Sequence, residues 1–309
     1  MKVLVADDDS VNRRIIQTFL EKWDYEVVVA QDGTEAWSLL QQEDAPRMAI
    51  LDWMMPGMDG VQICREVRRL PEQRYTYLIL LTAKFQKQDI LEGFAAGADD
   101  YLTKPFDANE LRARLRTGWR ILELYEQLRQ AHAAMQFRAT HDAITGLWNR
   151  AAILEAAHAE LSRAQRERTS VNFIMADLDH FKQVNDVYGH LAGDAVLREA
   201  AQRMQSCIRP YDRLGRYGGE EFLIVVPGAV TSSGISVAER VRDAIAQAPV
   251  ETPEGRICVT ISLGVAGSAG AASVEVDQLL RLADAALYRA KHEGRDRVAV
   301  GQTVESQQA

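Results

Sequence analysis

Residues 213 to 226 read RLGRYGGEEFLIVV, with two glycines and two glutamates set among residues of strand composition. Consecutive glycines accept the positive φ values that a two-residue hairpin turn demands. The spacing therefore predicts a hairpin with Gly218-Gly219 at its turn. Glu220 and Glu221 are superfluous to such a turn and point to a second use. Upstream, the apolar run VNFIMADLD (171 to 179) reads as a strand ending in Asp177 and Asp179. HFKQVNDVYGHLAGD (180 to 194) follows, and a long helix reaches about Cys207. Downstream come a helix over about 232 to 247, a strand CVTISLGVA (258 to 266), and a final helix to about Lys291 leading into EGRDRVAV.

Helices and an antiparallel hairpin on one sheet make an α/β domain of the palm type used by nucleotidyl transferases and cyclases. Asp177 at a strand end and Glu220 at a neighbouring turn can hold a divalent cation such as Mg²⁺ between them. Phosphoryl chemistry needs that pairing, because the cation neutralises charge as pyrophosphate leaves. Gly218 and Gly219 lack side chains, so a nucleotide can approach their backbone closely.

These residues are the hallmark of the GGDEF family, and residues 139 to 300 resemble a diguanylate cyclase in its GGEEF form. The resemblance implies that Asp177, the Leu178 carbonyl and Glu220 bind metal, that Glu220 is also the general base, and that Glu221 supports the site. It makes Lys182 a transition-state stabiliser, gives Asn185, His190 and Asp194 to GTP, and sends Lys291 and Arg295 to its phosphates. The segment HDAITGL departs from the family only in Ile144, an apolar replacement for Leu. Asp194 can accept from both N1-H and the exocyclic amine of guanine, whereas adenine would leave the acid unpaired, so it favours GTP. Arg209-Pro-Tyr-Asp212, six residues before Gly218, matches the position of the family's inhibitory site for the product, cyclic di-GMP. A surface ion pair is the alternative for Arg209 and Asp212, and their position favours the inhibitory site. The rival for the whole domain is a catalytically silent module that reads cyclic di-GMP or a protein, and the retained Asp177, Glu220 and Glu221 argue against it.

The first half has a different rhythm. VLVA (3 to 6), EVVVA (26 to 30), MAILD (48 to 52), YLILLT (77 to 82) and DYLT (100 to 103) alternate with helical stretches at about 10 to 23, 34 to 42, 59 to 70, 87 to 96 and from 107 onward. Alternation of that kind predicts a doubly wound parallel sheet, with Ser10 and Asp107 as helix N-caps and ligands at the carboxyl ends of the strands. Asp7, Asp8, Asp52, Thr82 and Lys104 fall on that rim. Three carboxylates together need a hard cation such as Mg²⁺ to relieve their repulsion. Capping by Asp7 to Asp9 would account for that run but not for Asp52, Thr82 and Lys104. The motifs VADDD, LDWMMPGMDG, LLTA and YLTKPF resemble the flavodoxin-like receiver domain of bacterial response regulators over residues 1 to 118. That resemblance makes Asp52 the phosphoacceptor, Asp7, Asp8, Asp52 and the Met54 carbonyl the metal site, Thr82 and Tyr101 the switch pair, and Lys104 the counter-charge, with a histidine kinase as partner.

Between the halves, Ile121, Leu124, Leu128, Ala131 and Met135 form an a/d stripe, while Leu111, Leu115, Trp119 and Leu122 follow another face. Residues 119 to 138 are therefore expected to form a coiled-coil connector in a homodimer, weakened at Gly118; the alternative is a helix packed back on its own domain. The chain has 309 residues, 47% hydrophobic and 26% charged, the balance of a soluble two-domain protein. Its net charge of -8 argues against a nucleic-acid partner, and the absence of a long apolar run argues against a membrane span, so a cytoplasmic protein with a disordered tail over 301 to 309 is expected. Cys64, Cys207 and Cys258 lack metal or disulfide spacing and are expected in the core.

Overall fold

The computed structural model describes residues 1–70, 75–83, 87–228, 230–268 and 274–301. The expected disordered tail therefore lies, apart from Gly301, outside the described residues. The chain divides into two compact units, Met1–Ala133 and Ala134–Ala309.

In the first unit β1 (Lys2–Ala6), α1 (Ser10–Lys22), β2 (Glu26–Ala30), α2 (Gly33–Leu40), β3 (Met48–Asp52), α3 (Gly60–Arg69), β4 (Tyr77–Thr82), α4 (Lys87–Ala95) and β5 (Asp100–Thr103) alternate, and α5 (Ala108–Thr140) follows. All strand pairings are parallel, in the order β2-β1-β3-β4-β5, the flavodoxin-like order. Every residue of β3 and β4 is buried, which is why both read as unbroken apolar runs. Capping corrects one expectation: Asp9, not Ser10, caps α1, its carboxylate accepting from the Val11 amide at 2.8 Å. Asp107 caps α5 as expected, accepting from the Asn109 and Glu110 amides.

The buried face of α5 is Leu111, Leu115, Gly118 and Leu122. Trp119, expected in that stripe, is instead exposed. At Gly118 the helix lies close against the sheet, since a Cβ there would lie 2.5 Å from the Tyr77 ring. Beyond Leu122 the helix still holds to the first unit: Tyr125 stacks on Tyr75 with ring centroids 5.2 Å apart, and Glu126 pairs with Arg47 at 3.2 Å. The alternative reading of the connector thus applies to its opening turns. Ile121, Leu124, Leu128 and Met135 all stand exposed on another face.

The second unit contains α6 (Arg150–Glu167), β6 (Val171–Leu178), α7 (Phe181–Tyr188), α8 (His190–Ser206), β7 (Arg213–Gly218), β8 (Glu221–Pro227), α9 (Thr231–Ala246), β9 (Val250–Thr252), β10 (Gly255–Ile257), β11 (Ile261–Gly267), α10 (Val276–His292) and β12 (Val298–Val300). Its main sheet runs β12-β11-β6-β8-β7, with β6 antiparallel to both β11 and β8. The hairpin turn falls one residue later than expected: Gly218 pairs with Glu221, leaving Gly219 and Glu220 at the tip, and Gly219 alone of the two has positive φ, 43°. The long helix expected to reach about Cys207 is α8, and the stretch before it carries a further helix, α7, separated from α8 by Gly189 at φ 84°. The small hairpin β9–β10 and the edge strand β12 were not expected, being three residues each. Cys64 and Cys207 are buried, but Cys258 is exposed, against expectation. Among the described residues no helix is long and apolar enough to cross a membrane.

Candidate functional site

In the first unit, β1 ends directly before Asp7 and β3 ends on Asp52. The parallel register brings them to the same rim, and Asp7, Asp8 and Asp52 present carboxylate oxygens within 4.8 Å of one another. Three hard oxygen donors at that spacing suit a divalent cation. Lys104, just past β5, bridges two of them, its Nζ 2.8 Å from Asp7 and 2.9 Å from Asp52. Burial pushes the Asp52 carboxyl above its ordinary range, while Lys104 pulls the other way and Asp7 and Asp8 add to the rise. The Asp7 carboxylate also accepts from the Asp9 amide, and Arg13 donates to the Asp7 carbonyl. Thr82 is buried and lines one small cavity with Tyr101, whose ring meets Phe94 edge-on. Met54, two residues past Asp52, has an exposed side chain.

In the second unit, the end of β6 and the tip of the hairpin converge. Asp177 is paired with Glu221 across the β6–β8 ladder, and the Leu178 amide donates to the Glu220 carbonyl at 3.3 Å. Asp177 is buried, and Lys291 from the last turn of α10 reaches its Oδ2 at 2.7 Å. Burial pushes the Asp177 carboxyl up to about 6; Lys291 opposes the rise, and Glu220 and Glu221 reinforce it. Lys291, expected on nucleotide phosphates, thus stands on the strand-end acid. Asp177, Glu220 and Glu221 are hard oxygen donors of the right kind for a divalent cation, although they do not close into a cluster as tight as that of Asp7, Asp8 and Asp52.

The other expected residues flank this point. Lys182 is exposed in the first turn of α7, and His190 is exposed at the start of α8. Asn185 packs against Gly193, where a Cβ would lie 1.9 Å from its Oδ1. Asp194 stands 4.0 Å from Arg198 on α8. Arg295 is exposed on the loop after α10 with φ 63°. The Arg209–Asp212 element is a closed turn. Asp212 is buried, its Oδ2 accepting from the Arg209 amide at 2.8 Å, while its buried Oδ1 has no partner. The Arg209 guanidinium instead lies on Tyr211, donating to its hydroxyl at 2.8 Å. The surface-ion-pair reading is therefore not the arrangement observed.

Reasoning from the sequence missed two residues. Asp142 accepts from the Thr145 amide and hydroxyl at 2.8 Å, and Arg216 of β7 reaches both its oxygens at 3.1 Å. Burial alone would raise the Asp142 carboxyl, and the bonds from Thr145 and Arg216 outweigh it and hold it below the usual carboxylate range. Arg216 Nε also donates to the Gly219 carbonyl at 2.7 Å, tying the hairpin tip to the start of the domain. The only signal was Asp142 two residues before Ile144-Thr145, the spacing of an Asx turn.

Compared with known proteins, residues 139–297 match the family described as diguanylate cyclase, GGDEF domain, and residues 3–116 match the response regulator receiver domain. Response regulator PleD of Caulobacter vibrioides is 25% identical over an alignment covering 96% of this chain and 98% of PleD. Diguanylate cyclase SiaD of Pseudomonas aeruginosa, solved in complex with its activator SiaC, is 39% identical, with 62% of this chain and 74% of SiaD covered at a TM-score of 0.52. The coiled coil and GGDEF domain of DgcB from Caulobacter crescentus, solved with c-di-GMP, is 29% identical, with 62% of this chain and 99% of that one covered at a TM-score of 0.55.

Proposed function

Because the chain belongs to the GGDEF family of diguanylate cyclases and carries a response-regulator receiver domain, we propose that it is a phosphorylation-controlled enzyme condensing two GTP into cyclic di-GMP and two pyrophosphates. The observation that carries this reading is the meeting of Asp177, Glu220 and Glu221 where β6 ends against the hairpin tip. Each 3′-hydroxyl attacks the α-phosphorus of the other nucleotide, forming a P–O bond as the bond to the β-phosphate oxygen breaks. Glu220 takes the hydroxyl proton. Asp177, the Leu178 carbonyl and Glu220 would hold Mg²⁺, which when bound neutralises the charge developing on the phosphates. Lys182 supports that charge, Asn185, His190 and Asp194 hold guanosine, and Lys291 and Arg295 take the polyphosphate. The glycine tip leaves space for this: a Cβ at Gly219 would meet nothing within 4 Å.

Regulation follows from stoichiometry. One domain holds one GTP, so synthesis needs two chains. A histidine kinase passes its phosphoryl group to Asp52; Asp7, Asp8, Asp52 and the Met54 carbonyl would hold Mg²⁺, Lys104 meets the phosphoryl charge, and Thr82 and Tyr101 rearrange. Residues 1–118 act as the receiver, 119–138 as the coiled-coil connector of a homodimer, and 139–300 as the cyclase. Arg209 and Asp212 bind cyclic di-GMP as an inhibitor. The test is pyrophosphate release from GTP and Mg²⁺ by the full chain, measured with oligomer size, with and without beryllofluoride. Release that beryllofluoride stimulates together with dimerisation supports the reading. No release under any condition favours the silent binding module.

A further inference from the structure

Asp179 stands one residue beyond β6 and two beyond Asp177, and it is 4% exposed. Three donors converge on its carboxylate: Ser262 Oγ at 2.7 Å on Oδ1, and Thr260 Oγ1 at 2.7 Å and the Asp296 amide at 3.1 Å on Oδ2. Its own amide donates to the Thr260 carbonyl. The bonds to Thr260 and Ser262 join β6 to β11 and its lead-in, strands the sheet already pairs. The bond to Asp296 crosses β11 instead: it reaches 117 residues along the chain to the loop between α10 and β12, whose Arg297 carbonyl accepts from the Leu263 amide where β12 pairs with β11.

That loop has unusual backbone. Gly294, Arg295 and Asp296 have φ of 119°, 63° and 45° in succession. For side-chain-bearing residues the left-handed region is sterically costly, and such strain persists where the surroundings over-determine it. Here they do. The Asp296 amide is fixed by Asp179, its Oδ1 is held by Arg242 of α9 at 3.0 Å, and the Arg295 amide returns to the Ala290 carbonyl at 3.0 Å. The clamp fixes the backbone at Arg295 and with it the direction in which its Cβ leaves the chain, so the exposed side chain starts from a set point. One turn upstream, Lys291 is drawn to Asp177. The strand end therefore anchors the end of α10 through one acid and the loop after it through the other.

We propose that Asp179 is a positioning residue for the nucleotide's polyphosphate: it fixes the left-handed Arg295–Asp296 pair so that Arg295 is aimed at the triphosphate. The inference rests on the cyclase reading and adds a residue to its binding machinery. Only a group made entirely of acceptors satisfies all three donors as they stand. Asparagine keeps one acceptor for Thr260 and Asp296 and can turn its NH2 toward the Ser262 hydroxyl, which also accepts.

The test uses the full chain and calorimetric binding of two probes, 3′-deoxy-GTP, which lacks the attacking hydroxyl, and GMP, which lacks the β- and γ-phosphates. Arg295→Ala and Asp179→Ala should each weaken 3′-deoxy-GTP by roughly tenfold or more and leave GMP nearly unchanged, the loss expected for a hydrogen bond to a charged group. Asp179→Asn should recover most of the affinity. The double variant should bind no worse than Arg295→Ala alone, because both remove the same contact. Equal losses for both nucleotides, or losses that multiply in the double variant, would reduce Asp179 to a support of the fold and overturn the proposal. If Arg295→Ala weakens 3′-deoxy-GTP and Asp179→Ala does not, the positioning role alone fails. An unaffected Arg295→Ala removes the phosphate role of Arg295, and the proposal with it. Should Asp179→Ala fail to fold, Arg242→Gln releases the other side of the same loop. It should give a smaller loss confined to 3′-deoxy-GTP, and no loss there overturns the proposal.

Discussion

The molecule holds two acid sites at strand ends, and they differ in how complete each is. In the first unit Asp7, Asp8 and Asp52 converge within 4.8 Å and one lysine, Lys104, spans Asp7 and Asp52. In the second, Asp177 is gripped by Lys291 and the glutamates lie beside it without closing into a comparable group. Parallel strands of one sheet deliver the first set in fixed register, so this acid pocket is assembled by the fold. The second set combines a strand end with a hairpin tip, which is the half-site that the proposed function requires of each chain. Under the proposed function the receiver would be chemically complete alone, whereas the cyclase would be open to control through pairing.

The largest effect is expected of Glu220→Gln, which under the proposed function removes a ligand charge and the base while preserving shape. Cyclase turnover should fall by roughly 10²–10⁴-fold, the usual contribution of a positioned general base, while phosphoryl uptake at Asp52 is unchanged. Near-normal turnover at saturating GTP would remove Glu220 from the chemistry. Asp52→Asn is the reciprocal experiment. An amide forms no acyl phosphate, so activation by acetyl phosphate should vanish, a loss of about 5- to 150-fold if the coupling is of ordinary allosteric size. Basal synthesis should remain. Persisting activation in that variant would move the switch elsewhere.

A third expectation separates the sites by acid titration. Burial holds the Asp177 carboxyl at about 6, so the acid is ionised at pH 7 and protonates as pH falls through that value. The ionised fraction available to a cation then drops about tenfold for each further unit, and the Mg²⁺ needed for half-maximal synthesis should rise in step. A requirement that stays constant between pH 7 and pH 5 would exclude Asp177 as a ligand.

These sites were legible in the sequence to different depths, for physical reasons. Strand ends are readable because buried parallel strands are apolar runs with abrupt polar ends, so Asp7, Asp52 and Asp177 could be placed from pattern alone. The hairpin was readable, but its register was not: the ladder admits Gly218 opposite Glu221 and moves the tip onto Glu220. What stayed hidden are pairings between distant segments. Asp142 and Arg216 are 74 residues apart, and Asp179 and Asp296 are 117 apart, with nothing local to join them. The reason for Gly118 was hidden in the same way. Within the helix it is a weak former, and only the Tyr77 ring beside it explains why no larger residue stands there.

The smallest effects bear on α5, where the two kinds of completeness meet on opposite faces of one helix. Its inward face is closed by Leu111, Leu115, Gly118 and Leu122. Gly118→Ala gains about 1 kcal/mol of helix propensity but drives a methyl group into the Tyr77 ring, an overpacking cost of roughly 1–3 kcal/mol, so a net loss of about 1 kcal/mol is expected. Leu128, at 69% exposure, has no such neighbour to lose, and Leu128→Ala should change thermal stability by less than about 0.5 kcal/mol in the dilute monomer. If Ile121, Leu124, Leu128 and Met135 are the seam of a coiled coil, the same substitution should nevertheless weaken dimerisation and lower cyclase activity at limiting protein concentration. Calorimetry and sedimentation on both variants separate the faces. A Leu128→Ala protein that dimerises and synthesises normally would leave this face without a partner, and control of the cyclase would then have to run through some other surface.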